Sequence, residues 1–314
     1  MSFSNALSAS SPAGATADGQ GGATPPGSDR PGTAQANPAP ATQGPATMAP
    51  ALRARRLMRA CDRAALATVQ RPTPADEGAG AMADAAGWPY PSLVLVAFDH
   101  DGSPLLLLST LADHTRNLLA DGRVGLLFDG TAGLAQPLTG ARLSVQGRAE
   151  RSDDPDHRAR YLRRHPDAAL YAGFGDFAIY RVAVERAHLV AGFGRIHWLS
   201  AAELDLPAPA PALAADEAAL LDRLNGEGYG PRLAPASDDG TDGWSVTGID
   251  PEGCDLRRGG YVARVDFEQR IHDPESAKLM LDTLVRPPDG SGQPGGSTSG
   301  TPTAGTPPDS GGGA

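Results

Sequence analysis

Apolar positions along the chain change period several times, and each change marks an element. Between Arg53 and Arg63, Leu57, Met58 and Cys61 recur at helical spacing among arginines, which predicts a short amphipathic helix. Ala64–Val69 reads as a strand, and 70–87, rich in Pro, Gly, Ala and Asp, as a long loop. The strongest β signal follows, where Ser92–Phe98 and Pro104–Ser109 flank the turn sequence Asp99-His100-Asp101-Gly102. Runs this continuous predict strands buried on both faces, inside a closed barrel or at a subunit interface. A helix over Leu111–Ala120, stopped by Asp121-Gly122, precedes strands over Arg123–Phe128 and Ala141–Glu150.

Asp153-Asp154-Pro155 is a helix start, with an acidic cap and proline in the first turn, and the helix runs to about Arg164. Its Arg158, Arg160, Arg163 and Arg164 read as a solvated end that the helix dipole favours. Phe177–Val184 alternates as a strand, continued by His188–Val190 and Ile196–Leu199 around Gly192-Phe193-Gly194. The Pro-Ala run Pro207–Pro211 reads as a semi-rigid linker and marks a domain boundary. Beyond it come a helix (Leu213–Leu224), a three-strand meander (Trp244–Ile249, Gly253–Arg257, Tyr261–Phe267) and a closing helix (Pro274–Leu284), the pattern of a small α+β domain.

Composition adds the limits. Ala, Gly and Pro fill 27 of the first 50 positions, and residues 287–314 hold 9 Gly and 6 Pro, so 1–50 and 287–314 are expected to be disordered tails. The organisation expected between them is a main domain over 51–206 and a small one over 212–286. A net charge of −10 argues against a nucleic-acid binder. The longest apolar runs are strand-sized, so no membrane span is expected, and the N-terminus lacks the pattern of a secretory signal. The two cysteines, Cys61 and Cys254, form no metal or redox spacing, and the expectation is free thiols in the cytoplasm. Lys278 is the sole lysine, and Ala277 precedes it, which excludes a Walker A loop.

The chemically informative stretch is Leu107–Asn117, where a buried strand runs into a helix through hydroxyls, one histidine and one arginine. Free N–H groups, hydroxyls and an arginine at such a junction make a phosphate site. The plainer reading is an ordinary helix cap supplied by Asp113 or Thr110. His157 and His165 lie about two turns apart on one helix face, without a carboxylate between them, and no metal site is assigned. His165, His188 and His197 read as surface or hydrogen-bonding histidines rather than iron ligands.

Tyr90-Pro91-Ser92-Leu93-Val94, the run Leu105–Leu118, Tyr161–Pro166, Ala172–Phe177 and His188–Arg195 together resemble the FMN-binding split barrel of pyridoxamine 5′-phosphate oxidase-like proteins. The branch most similar is the haem-utilisation (HugZ-type) branch, and Gly248–Leu256 resembles the small C-terminal domain usual there. The resemblance implies a split β-barrel with peripheral helices plus a small α+β domain, and a homodimer with FMN between subunits. Ser92, Leu93 and Val94 would lie along the isoalloxazine, Ser109 and Thr110 at the flavin phosphate, and His114, Thr115 and Arg116 around it. Arg142 stands where the superfamily often has a glutamine near the flavin.

The chain departs from that branch at Leu224-Asn225-Gly226-Glu227-Gly228, where an Asn-Glu-Asp-His-like tetrad is usual and the histidine is missing. The resemblance implies a flavin-dependent oxidoreductase acting on a small molecule. Two other readings stay open: a haem-binding or haem-handling protein without flavin catalysis, and a non-catalytic interaction module. The substrate is not legible.

Overall fold

The computed structural model describes residues 48–71, 86–192, 194–235 and 242–285. The expected tails fall outside these residues, apart from Met48–Pro50, as do most of the loop expected at 70–87 and Phe193. Helix α1 (Pro50–Ala60) opens on a proline, whose missing N–H has no partner to lose at a helix start. Strand β1 (Arg63–Val69) alternates, sending Ala64, Leu66 and Thr68 inward and leaving Ala65 and Ala67 exposed.

The strand expected over Ser92–Phe98 is two strands. β2 (Pro89–Leu95) pairs with β1, whereas β3 (Ala97–Phe98) pairs with β4 (Pro104–Ser109). Val96 is the joint: its N–H donates to the Asp62 carbonyl at 2.9 Å and its own carbonyl bonds His165 Nε2 at 3.0 Å. Apolar patterning registers burial, not a change of partner, so the break is invisible in the sequence. Gly102 closes the β3–β4 turn at φ +84, donating to the Asp99 carbonyl at 2.9 Å.

Helix α2 (Asp113–Ala120), strands β5 (Arg123–Gly130) and β6 (Ala141–Ser152), helices α3 (Pro155–Arg164) and α4 (Ala169–Ala172), and strands β7 (Phe177–Ala191) and β8 (Ile196–Ser200) complete the first part. The sheet is antiparallel, in the order β2-β1-β5-β6-β7-β4-β3, with β8 also on β7. It curls around one core that includes Leu66, Phe98, Leu106, Phe128, Val145 and Leu189. Gly147 of β6 sits opposite a bulge at Glu185 of β7, where a Cβ would meet the Ala183 carbonyl at 2.2 Å.

The double burial expected of β4 is met within one chain. Leu106 and Leu108 face the barrel core, while Leu105 and Leu107 join Tyr161, Ala168 and Ile179 in a second cluster beneath α3. The second part follows a short helix, α5 (Ala201–Leu204), and comprises α6 (Pro211–Gly226), α7 (Tyr229–Leu233), the meander β9 (Ser245–Asp250), β10 (Gly253–Arg258) and β11 (Tyr261–Asp266), and α8 (Pro274–Val285). It has its own core, including Leu213, Leu224, Trp244, Ile249 and Leu281.

Charge joins the two parts. Arg160 and Arg164, expected on a solvated helix end, are instead buried at 6% and 4% exposure. Arg160 and Arg163 both bond Glu217 of α6, and Arg164 lies 2.7 Å from Asp255 of β10. From α1, Arg59 pairs with Asp250 at 2.9 Å and Arg55 with Glu252 at 2.7 Å. Arg264 of β11 bridges Asp250 and Asp255 at 2.8 and 3.0 Å. Burial alone would raise the Asp250 carboxyl, but Arg264 and Arg59 more than offset it and hold the group ionised. The sequence missed this because a helical arginine run looks the same whether it meets water or carboxylates 50 to 100 residues away.

Removing one member of such a lattice strands the others without counter-charge. Asp250→Asn is expected to destabilise the chain by about 3–5 kcal/mol in urea unfolding. A loss below about 1 kcal/mol would show that the lattice holds no weight.

Candidate functional site

The β4–α2 junction is built around Asp176. Ser109 at the end of β4 donates its hydroxyl to Asp176 Oδ2 at 2.5 Å, and the Thr110 N–H donates to the Asp176 carbonyl at 2.8 Å. Ser109 Oγ also accepts the Leu111 N–H at 3.1 Å. The residue capping α2 is Ala112, which makes no side-chain cap, so neither Asp113 nor Thr110 serves as the cap expected. Helix α2 is tied to β1 instead, through Asn117 Nδ2 donating to Thr68 Oγ1 at 3.0 Å.

Beside this junction lies a groove of about 350 Å³. Its walls include Leu93 and Leu95 of β2, Leu107 of β4, Tyr171 of α4, Phe177 of β7 and His114 of α2. Tyr171 and Phe177 rings stand 5.0 Å apart. His114 is half-buried, and its Nδ1 lies 3.1 Å from Ser92 Oγ. Burial lowers the His114 pKa, with Asp113 opposing, so the ring is neutral at pH 7.

The structure brings some of the expected site residues together and separates others. Leu93, Val94, Ser109 and His114 line the groove, although the Val94 side chain belongs to the barrel core, and Ser92 reaches it through its contact with His114. Thr110 is exposed beside them. Thr115 is fully buried, and its hydroxyl has no hydrogen-bond partner among the described residues. Arg116 pairs with Asp113 one turn back on the surface of α2. Arg142 donates to the Leu138 and Gly140 carbonyls and lies opposite Val190, thirteen positions along β7 from Phe177, which faces Ser109. That is on the order of 40 Å of strand, so one chain cannot bring Arg142 to the junction.

A flavin phosphate fits this junction poorly. The Ser109 hydroxyl is committed to Asp176 and that of Thr115 is enclosed, which leaves only the exposed Thr110 hydroxyl; the arginine is matched by Asp113, and burial lowers the histidine pKa. With Asp113 and Asp176 against Arg116, a phosphate dianion would meet net negative charge.

The outer face of the sheet holds a second feature. Register places Leu93, Ala65, Leu127, Ser144, His188 and Trp198 side by side across six strands. Leu93 is 71% exposed and Trp198 59%. His188 stacks on Trp198 at 4.4 Å, and the Arg186 guanidinium lies 5.6 Å from the same indole. His188 is thus part of this outer surface, while His165 is buried, its pKa pushed down to about 4 by burial. His157 is held between Ser152 and Asp99. The described residues contain no cluster suited to a metal ion.

The family model for pyridoxamine 5′-phosphate oxidase matches residues 53–191, the span of α1 to β7. This segment belongs to that family. The chain is 38% identical over 109 residues to a non-canonical, chloroplastic haem oxygenase of Arabidopsis thaliana. The match covers 34% of this chain and 33% of that protein, so the chain spans about a third of the length of the curated relative it matches. A crystal structure of a protein of unknown function from Agrobacterium tumefaciens is similar over 78% of this chain and all of that one, at 28% identity and a TM-score of 0.62. A haem-binding protein from Mycobacterium smegmatis is a weaker likeness, at 24% identity and a TM-score of 0.45 over 76% of this chain and 97% of that one. Within the family the chain is similar to the haem-utilisation branch.

Sequence reasoning missed Asp176, Tyr171 and Phe177. The aromatic residues carry a signal in retrospect, since they sit in the Ala172–Phe177 motif or just before it. The Ser92–His114 contact spans 22 positions and has none.

If Thr115 is a packing residue rather than a ligand donor, removing its orphan hydroxyl costs nothing. Thr115→Val is expected to leave thermal stability unchanged or raised by up to about 1 kcal/mol, with ligand affinity unaltered; a tenfold loss of FMN or hemin affinity would return Thr115 to the site.

Proposed function

We propose that the protein binds haem, with His114 as the iron ligand, in a homodimer whose second copy covers the outer face of the barrel. The observation that carries this reading is a neutral, half-buried imidazole lining an apolar, aromatic groove. Iron takes an unprotonated imidazole nitrogen, and a porphyrin takes apolar walls. Similarity to a haem oxygenase supports haem as the ligand class. The flavin reading is supported by the family, but the charge balance at the junction opposes it, and no redox step is derived from it.

The exposed row from Leu93 to Trp198 supports the dimer, because Leu93, Ala65 and Leu127 lie side by side on three neighbouring strands and Trp198, stacked on His188, extends the row on the far side of Ser144. Among the described residues no helix is long and apolar enough to cross a membrane. Both cysteines are free, which supports the cytoplasmic setting expected from the sequence.

Hemin titration followed at the Soret band tests the ligand. The wild-type protein is expected to bind, and His114→Ala to lose at least tenfold in affinity together with the imidazole-type spectrum. Because the His114 pKa lies below the ordinary histidine value, binding should persist through neutral pH and fall only in acid, as a proton displaces iron. Equal spectra for both proteins would overturn the assignment of His114, and tight FMN binding that excludes hemin would restore the flavin reading.

Sedimentation tests the dimer. Leu127→Glu, which puts a charge in the middle of the exposed row, is expected to convert a dimer to monomer at micromolar concentration. A wild-type protein that sediments as a monomer with hemin present would refute it.

A further inference from the structure

The hydroxyl of Ser92 is the polar group that the His114 ring meets. An imidazole that binds iron through one nitrogen carries its proton on the other, and a half-buried N–H needs an acceptor. Ser92 Oγ stands 3.1 Å from Nδ1, which leaves Nε2 as the nitrogen free for a metal. The two side chains are held at this distance from both sides. Ser92 lies in the middle of β2, opposite Leu66 of β1, so its backbone is fixed by the ladder. His114 lies in the first turn of α2, and α2 is fastened to the same β1 strand by the buried Asn117–Thr68 bond. Asn117 Oδ1 also accepts the Arg71 N–H at 2.9 Å, so the helix is held at the end of β1 as well. Strand and helix therefore share one anchor, and the serine and histidine cannot drift apart independently.

The hydroxyl has two ways to meet the ring. Donating to Nδ1 would put the proton on Nε2 and block coordination; accepting from Nδ1–H exposes the Nε2 lone pair. We infer that Ser92 is the positioning residue for His114, accepting the Nδ1 proton and so holding Nε2 ready for haem iron. The inference rests on the haem reading of the groove, but the tautomer it specifies exists without haem. A hydroxyl at this place, where many metal-binding histidines meet a carboxylate, also leaves the ligand without added negative charge, in a groove that already has Asp113 nearby.

Two measurements on the full chain test it. Nitrogen-15 NMR of the histidine side chains without haem is expected to show His114 protonated mainly at Nδ1, with Ser92→Ala shifting the population toward the Nε2–H form. Hemin titration is expected to show Ser92→Ala binding about 10- to 100-fold more weakly with an altered Soret spectrum, and Ser92→Thr restoring both. A wild-type His114 protonated at Nε2, or a Ser92→Ala protein matching wild type in tautomer and hemin affinity, overturns the inference. A wild type that binds no hemin while NMR shows the Nδ1–H form lost in Ser92→Ala removes the haem reading and leaves Ser92 as what sets the ring.

Discussion

Five guanidinium groups and four carboxylates meet in a seam from which water is almost excluded, and the placement of every neighbouring element follows from it. Arg55 and Arg59 of α1, Arg160 and Arg164 of α3, and Arg264 of β11 face Glu217, Asp250, Glu252 and Asp255. Ions this buried are tolerated only when each is matched, so α1 and α3 cannot take their positions without the C-terminal part. The same guanidiniums reach back into the barrel: Arg160 Nε donates to the Phe98 carbonyl at 2.9 Å and Arg59 to that of His100 at 3.1 Å. Helix α3 in turn covers the outer side of β4 with Tyr161, which lines the groove. The groove is thus shaped, at one remove, by charge pairing in a part of the molecule that does not touch it.

That dependence explains which features were legible in the sequence. The helices and strands whose cause is local were placed well: Asp154 does cap α3 by accepting the Asp156 N–H, and the meander from β9 to β11 follows its turn residues. Features caused by distant partners were not. The arginines of α3 looked solvated because their counter-ions come from α6 and β10. The break at Val96 was hidden because both halves of the run are apolar, and its cause is a histidine 69 positions away. Linker chemistry at Pro207–Pro211 is real enough to start α6 with a proline, yet the parts it separates are fastened elsewhere.

The candidate site was legible in location and not in character. Hydroxyls, histidine and arginine between Ser109 and Arg116 singled out a junction that the structure places beside a groove. Composition alone could not show that Asp176 takes up the Ser109 hydroxyl or that Thr115 turns into the core. Once those donors are committed, the junction changes from an anion cradle to an apolar groove with one neutral nitrogen base.

The joint at Val96 has a consequence for the behaviour of the chain in crowded solution. β2 and β3 stand at the two ends of the main strand order and are consecutive pieces of one segment, so both ends of that path belong to a single kinked strand, while β8 is a separate edge on β7. What remains unpaired there is short or blocked. β3 has two residues, too few to template another strand, and β2 carries Pro89 and Pro91, which offer no N–H to an incoming chain. The split between β2 and β3 can therefore stay open without presenting, there, an edge on which β-aggregates would grow.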